Sequence, residues 1–110
     1  MAIIINIGVL NMITIIANFD VKPSCTAEFI RHATDVTRAT RKEKGCLSYK
    51  ILTNRKDKSQ FTFVEECLND TAIEEHNNAK HFMQFVDKVT PLLNSEIKIE
   101  QLEKIPSVFF

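Results

Sequence analysis

Between Phe61 and Cys67 the chain alternates without a break, and this short run limits what can be built around it more than any other stretch. Phe61, Phe63, Glu65 and Cys67 project from one face of a strand, and Thr62, Val64 and Glu66 from the other. A strand with phenylalanines on one face belongs in a sheet with that face covered, and the covering sets one acid, Glu65, among aromatics. Helix signals follow at once. Asp70 or Thr71 is positioned to cap a helix, and Glu74, three residues after Thr71, completes a capping-box pattern. His76 falls about a turn and a half further on. A strand carrying an inward acid, followed by a helix that returns an imidazole toward the same sheet, brings acid-base chemistry to an apolar cavity. Glu65 and His76 are therefore the first candidates for catalysis.

The rest of the pattern supplies the sheet. From Met12 to Val21, Ile13, Ile15, Ala17, Phe19 and Val21 share one face, while Met12, Thr14, Ile16, Asn18 and Asp20 share the other. Pro23 and Ser24 end that strand and open a helix, with Ser24 or Thr26 as N-cap, Glu28 in its first turn, and Arg38, Arg41, Lys42 and Lys44 near its end. Gly45 is the expected C-terminal cap. The stripe Phe29/Ile30, Ala33, Val36, Ala39/Thr40 is narrow and small, which suits a helix lying close on a sheet. Cys46 to Thr53 alternates again, with Leu47, Tyr49 and Ile51 on one side, and the polar run Asn54 to Ser59 joins it to the Phe61 strand as a hairpin. Beyond a short helix near Thr71 to His76, Asn78 is placed to cap a second helix with Phe82, Phe85, Val86, Val89 and Leu93 at helical spacing, and Pro91 marks its end. Ile97 and Ile99 alternate within Ser95 to Ile105.

The order β-α-β-β-α-β predicts an α+β, ferredoxin-like sandwich: an antiparallel four-stranded sheet with both helices on one face. The other face is left bare. If it carries Ile, Phe and Tyr side chains, a homodimer with two sheets facing each other is the expected remedy.

At 110 residues the chain is read as one domain, residues 12–105, with an apolar N-terminal extension, residues 1–11, and a tail, residues 106–110. The first nineteen residues carry no charge, which raises the question of a signal peptide or anchor. No Lys or Arg precedes the apolar run, Asn6, Asn11 and Asn18 interrupt it, and its Ile-rich composition suits strands. Met12 is an alternative start, which would make the preceding residues an arm that covers a sheet edge or reaches a partner subunit. Lys plus Arg equals Asp plus Glu at 14 each, so no overall field favours a phosphate backbone, and no Gly-rich phosphate loop is present. Neither nucleic acid nor a membrane is the expected partner. Cys25, Cys46 and Cys67 are an odd number without a CxxC pair, the pattern of reduced thiols in a cytoplasmic protein rather than of a disulfide framework or zinc site.

Four segments together resemble the antibiotic biosynthesis monooxygenase family of dimeric α/β-barrel proteins. They are MITIIANFDV with the following KP, GCLSYKI at Gly45 to Ile51, FTFVEE at Phe61 to Glu66, and DTAIEEHNNAKHF at Asp70 to Phe82. The resemblance covers roughly Met12 to Ile105. It implies cofactor-independent oxygenation of quinol- or anthrone-like aromatics, as in some members, or isomerisation of a phosphorylated sugar derivative, as in others; haem-degrading relatives share the fold. Glu65 stands where the family's strand acid stands, and His76 and His81 where its two helix-region histidines stand. Cys67 departs from the Trp or Tyr of many members. Asn18 matches the catalytic Asn of the haem degraders, but their Trp position is His76 and their histidine falls near Val86, so haem degradation is not expected.

His76 is weighed as a general base against a helix-capping or Glu65-bonding role, and Glu65, if inward, needs a partner such as Lys50 or His76. Asn18, Tyr49, His81, Phe63 and Phe82 complete the candidate site as substrate-binding residues. The leading reading is a homodimeric, cofactor-free oxygenase with no metal, taking a small apolar or aromatic substrate and O2. Its alternatives are an isomerase or tautomerase of a small carbonyl compound and a non-catalytic dimeric ligand-binding protein. His32 is read as a surface residue.

Overall fold

A computed structural model of the chain describes residues 12–105. The readings of residues 1–11 and 106–110 lie outside the described residues. Strand β1 (Ile13–Asp20) leads through a 3-10 turn (Pro23–Cys25) into α1 (Thr26–Thr40). The hairpin of β2 (Cys46–Thr53) and β3 (Gln60–Cys67) follows. Helices α2 (Asp70–Asn78) and α3 (Lys80–Val89), a 3-10 turn (Thr90–Leu92) and β4 (Lys98–Glu103) complete the order. The strands form one antiparallel sheet in the order β2-β3-β1-β4. This is the ferredoxin-like α+β sandwich expected, with the second helical segment broken in two.

Register explains which residues reach the core. Directly opposed residues of an antiparallel pair share a face. The pairs Phe19↔Phe61, Ala17↔Phe63 and Ile15↔Glu65 therefore all point to the helical side. There Phe19, Phe29, Phe61, Phe63 and Phe85 stack with ring centroids 4.6–6.2 Å apart. Burying each such ring is worth roughly 1.5–3 kcal/mol, so this cluster is the main stabilising element. Helix α1 buries Phe29, Ala33, Val36, Thr37 and Thr40, the narrow stripe read from the sequence, while Ile30 stays exposed.

Several local expectations are overturned. Neither Ser24 nor Thr26 caps α1; the 3-10 turn, with Pro23 in its first turn, feeds straight into the helix. The cap of α2 is Asn69, whose Oδ1 accepts the Ala72 N–H at 2.8 Å, rather than Asp70 or Thr71. Asn78 does not cap α3. Ala79, in extended conformation (φ −69°, ψ 139°), separates the two helices. Leu47 leaves the face of Tyr49 because β2 carries a bulge: Cys46 opposes Cys67 and Ser48 opposes Glu66, leaving Leu47 as the extra residue. Gly45 does not act through backbone freedom, since no glycine among the described residues has a positive φ. It is needed because a Cβ there would stand 2.2 Å from the Cβ of Ala72.

The bare sheet face also differs from expectation. The strand phenylalanines and Tyr49 all turn to the helical side. Opposed pairs assign to the outer face Ile16, Val64, Leu52 and Leu102, mixed with Thr14, Thr62, Lys50, Glu66, Lys98 and Glu100.

Candidate active site

The site is assembled from three places. Glu43 lies in the turn between α1 and β2, His76 in the last turn of α2, and His81 in the first turn of α3. The break at Ala79 lets two histidines five residues apart, which would not share a face of one helix, converge on the same carboxylate. His76 Nδ1 lies 2.9 Å from Glu43 Oε2 and 3.1 Å from Oε1, and His81 Nε2 lies 2.5 Å from Oε2. Gly45 permits the approach: its packing on Ala72 brings the Glu43 turn against α2. The ligating atoms of Glu43, His76 and His81 all lie within 4.8 Å of one another, a set that could hold a metal ion.

His76 is 4% exposed, and its Nε2 is buried with no hydrogen-bond partner among the described residues. In a neutral imidazole one nitrogen donates and the other accepts. A carboxylate accepts only, so the bond to Glu43 assigns the proton to Nδ1 and leaves the lone pair on Nε2.

His76 lines a cavity of about 150 Å³ with Glu65, Tyr49, Phe63 and Phe82, walled further by Ile15, Ala17, Ile73 and Phe85. Ile99 and Gln101 of the edge strand β4 also line it, and Ile99 is 57% exposed. Burial first, and then the nearby Glu43 charge, push the Glu65 carboxyl up to about 7, so it holds its proton far more tightly than an ordinary glutamate. Glu65 finds neither of the partners suggested for it. Lys50 is exposed on the outer face, and His76 is committed to Glu43. Tyr49, buried beside Glu65, is held in its protonated form by burial first and the Glu65 charge second. The Cys67 thiol is likewise pushed up to about 12 by burial and Glu65, and the three cysteines are free.

Five of the seven candidate residues therefore meet at one cavity: His76, Glu65, Tyr49, Phe63 and Phe82. Asn18 does not. It projects from the outer face, where its Oδ1 accepts the Thr62 hydroxyl at 2.7 Å, and it borders a wide polar groove of about 590 Å³ with Asp20, Gln60 and Lys98. That groove is larger but more open and lacks any histidine; the inner cavity is the less open and more apolar of the two. His81 is not among the cavity-lining residues and acts on the site through Glu43. Glu43 was not singled out from the sequence, because its partners are 33 and 38 residues away and only the fold closes that distance.

The fold and this site define a small α+β protein with a buried histidine set over an apolar cavity. The family model described as antibiotic biosynthesis monooxygenase matches residues 12–88, and the chain belongs to that family. A Synechocystis protein, sll1783, is 33% identical over 92 residues, covering 82% of this chain and 63% of its own length. YcnE of Bacillus subtilis, which carries a provisional monooxygenase name, is 28% identical over 84% of this chain and 97% of its own. The crystal structure of PA3566 from Pseudomonas aeruginosa superimposes with a TM-score of 0.81 at 30% identity, covering 88% of this chain and 97% of that one. Among the described residues, no helix is long and apolar enough to cross a membrane.

Proposed function

We propose that this protein is a cofactor-independent monooxygenase acting on a quinol-like phenolic ring, with His76 as the base. The observation that carries the reading is the unpartnered Nε2 of His76, buried at an apolar cavity while Nδ1 is held by Glu43. Nε2 takes the proton of a substrate hydroxyl, and the resulting anion carries its negative charge partly on ring carbon. That carbon gives two electrons to O2 and forms a C–O bond, yielding a hydroperoxide. His76 returns its proton to the peroxide and then accepts the hydrogen of the same ring carbon as the O–O bond breaks, leaving a ring carbonyl: one oxygen atom stays in the product and the other departs as water. Glu65, protonated near neutral pH, donates the proton that the leaving oxygen requires. Phe63, Phe82 and Phe85 exclude water and confine the ring.

Size narrows the substrate. A cavity of about 150 Å³ is the volume that holds one benzene-sized ring, which favours a single-ring quinol over fused polyphenols. The exposed Ile99 beside the cavity and the aliphatic patch of Ile16, Val64, Leu52 and Leu102 support a homodimer as the working form, with the partner covering what the edge strand leaves exposed.

A single-ring quinol assayed with and without oxygen tests the reading. Turnover should cease anaerobically, one atom of labelled O2 should enter the product, and His76→Ala should lower the rate by roughly 10²–10⁴. Unchanged rates without oxygen would refute an oxygenase. Solvent deuterium entering the substrate with no oxygen uptake would instead identify the same His76–Glu65 pair as a tautomerase.

A further inference from the structure

We infer that Glu43, His76 and His81 also bind one zinc-class divalent ion, and that its binding takes the lone pair of His76 away from the cavity. The second half rests on the function proposed above; the first does not. Two imidazole nitrogens and one carboxylate oxygen are the donor set that borderline cations such as Zn²⁺ and Co²⁺ prefer over Mg²⁺ or Ca²⁺. The three donors come from separate segments and already converge within 4.8 Å. Bonds of about 2.0–2.1 Å in tetrahedral geometry place neighbouring donors roughly 3.3 Å apart. The Glu43 Oε2 to His76 Nδ1 separation of 2.9 Å therefore needs to open by a few tenths of an ångström, and the Oε2 to His81 Nε2 separation of 2.5 Å by roughly 0.8 Å. Glu43 can yield, since its side chain sits in a turn and is 21% exposed, and His81 is 31% exposed. The ion thus has a route from solvent and a fourth position for water.

The consequence follows from proton bookkeeping on one ring. Without the ion, Nδ1 of His76 holds the proton and donates it to Glu43, while Nε2 carries the lone pair. An ion on Nδ1 needs that nitrogen's lone pair, so the ring proton moves to Nε2. No proton is gained or lost by the neutral ring. The cavity-facing atom changes from acceptor to donor, and a substrate hydroxyl finds no base there.

The full chain, stripped with a chelator, is titrated with Zn²⁺ by calorimetry and with Co²⁺ by absorption. We expect one ion per chain, weak visible cobalt bands, and no intense sulfur-to-cobalt charge transfer in the near ultraviolet. His81→Gln and Glu43→Gln, each checked for folding by circular dichroism, should each weaken binding by about 100-fold or more, since even outer-shell changes cost up to that much. Absence of saturable binding, a thiolate band, or undiminished affinity in both variants overturns the site. Long-range nitrogen-proton spectra of the imidazoles read the switch: Zn²⁺ should move the His76 proton from Nδ1 to Nε2, and bound zinc with an unmoved proton overturns the switch. A zinc-free protein already protonated on Nε2 would defeat the proposed base while leaving the metal site standing. The expected zinc-free tautomer without zinc affinity would do the reverse.

Discussion

Replacing Gly45 by alanine should damage both the fold and the site, and the damage should be repaired by removing a methyl group from a different residue. The added Cβ would lie 2.2 Å from the Cβ of Ala72 and 3.1 Å from its Cα. Carbon atoms rest about 3.5–4.0 Å apart, so the turn and α2 must separate by more than an ångström. Neither group has a rotamer through which to escape, so the backbone moves. Overpacking of this kind costs about 1–3 kcal/mol. In a domain of this size each kcal/mol lowers Tm by roughly 4–8 °C. Ala72→Gly alone should cost about 2 kcal/mol, from a lost buried methyl and a glycine in a helix. The double variant Gly45→Ala/Ala72→Gly transfers the methyl across the contact and removes the Cβ–Cβ clash. It should be more stable than the sum of the single changes by about 1–3 kcal/mol, measured by urea unfolding. If the glycine were required for backbone freedom, as a helix cap would be, Ala72→Gly would rescue nothing. Additivity within about 0.5 kcal/mol would therefore refute the steric account. The same contact positions Glu43 beneath His76, so the His76 Nδ1–H resonance should weaken in Gly45→Ala and return in the double variant.

Glu65 makes a pH prediction with a definite sign. Its carboxyl is raised from 4.5 to about 7, so the folded state holds more protons than the unfolded one across that window, and this group's contribution to stability falls as pH rises through it. The loss is on the order of 3 kcal/mol when complete. Glu65→Gln should remove this dependence and be more stable than the native chain at pH 8 but not at pH 4, by urea unfolding. Glu43→Gln should lower turnover by about 10²–10⁴ by releasing His76 from its tautomer, and should also move the Glu65 titration down, because the Glu43 charge is one of its two causes. Carbon-detected NMR of the Glu65 carboxyl checks the second effect; an unmoved titration would show that burial acts alone. Asn69→Ala removes the side-chain cap of α2 and should cost about 1 kcal/mol by thermal unfolding.

Strand content was legible because period-two alternation is a local signal: Cys46 to Thr53 appears with the bounds read, and β1 and β3 differ by a residue or two. Local capping chemistry was less so. Asp70, Thr71 and Asn69 all carry side chains able to accept the same amide, and the choice of Asn69 depends on where the chain leaves β3. The bulge at Leu47 leaves no compositional mark, since the alternation of Cys46, Leu47, Ser48 and Tyr49 reads the same with or without the extra residue. Phase errors of this kind move single side chains between faces without disturbing the topology.

The site divides along the same line. His76, Glu65, Phe63 and Phe82 lie within one strand-turn-helix unit, so short-range geometry was enough to bring them together. Asn18 lies apart from the cavity because strand parity, which already opposed it to Ala17 and Phe19, places it on the outer face. Glu43 holds Nδ1 of His76, and it sits in a lysine-rich turn where a glutamate looks like one more solvated charge. Two features separate it from its neighbours, and both are steric: a glycine two residues later that lets the turn close on α2, and an alanine on α2 small enough to receive it. A polar residue that acts through a close backbone approach is thus signalled by the small residues that permit the approach, and in this chain Gly45 and Ala72 were the marks to read.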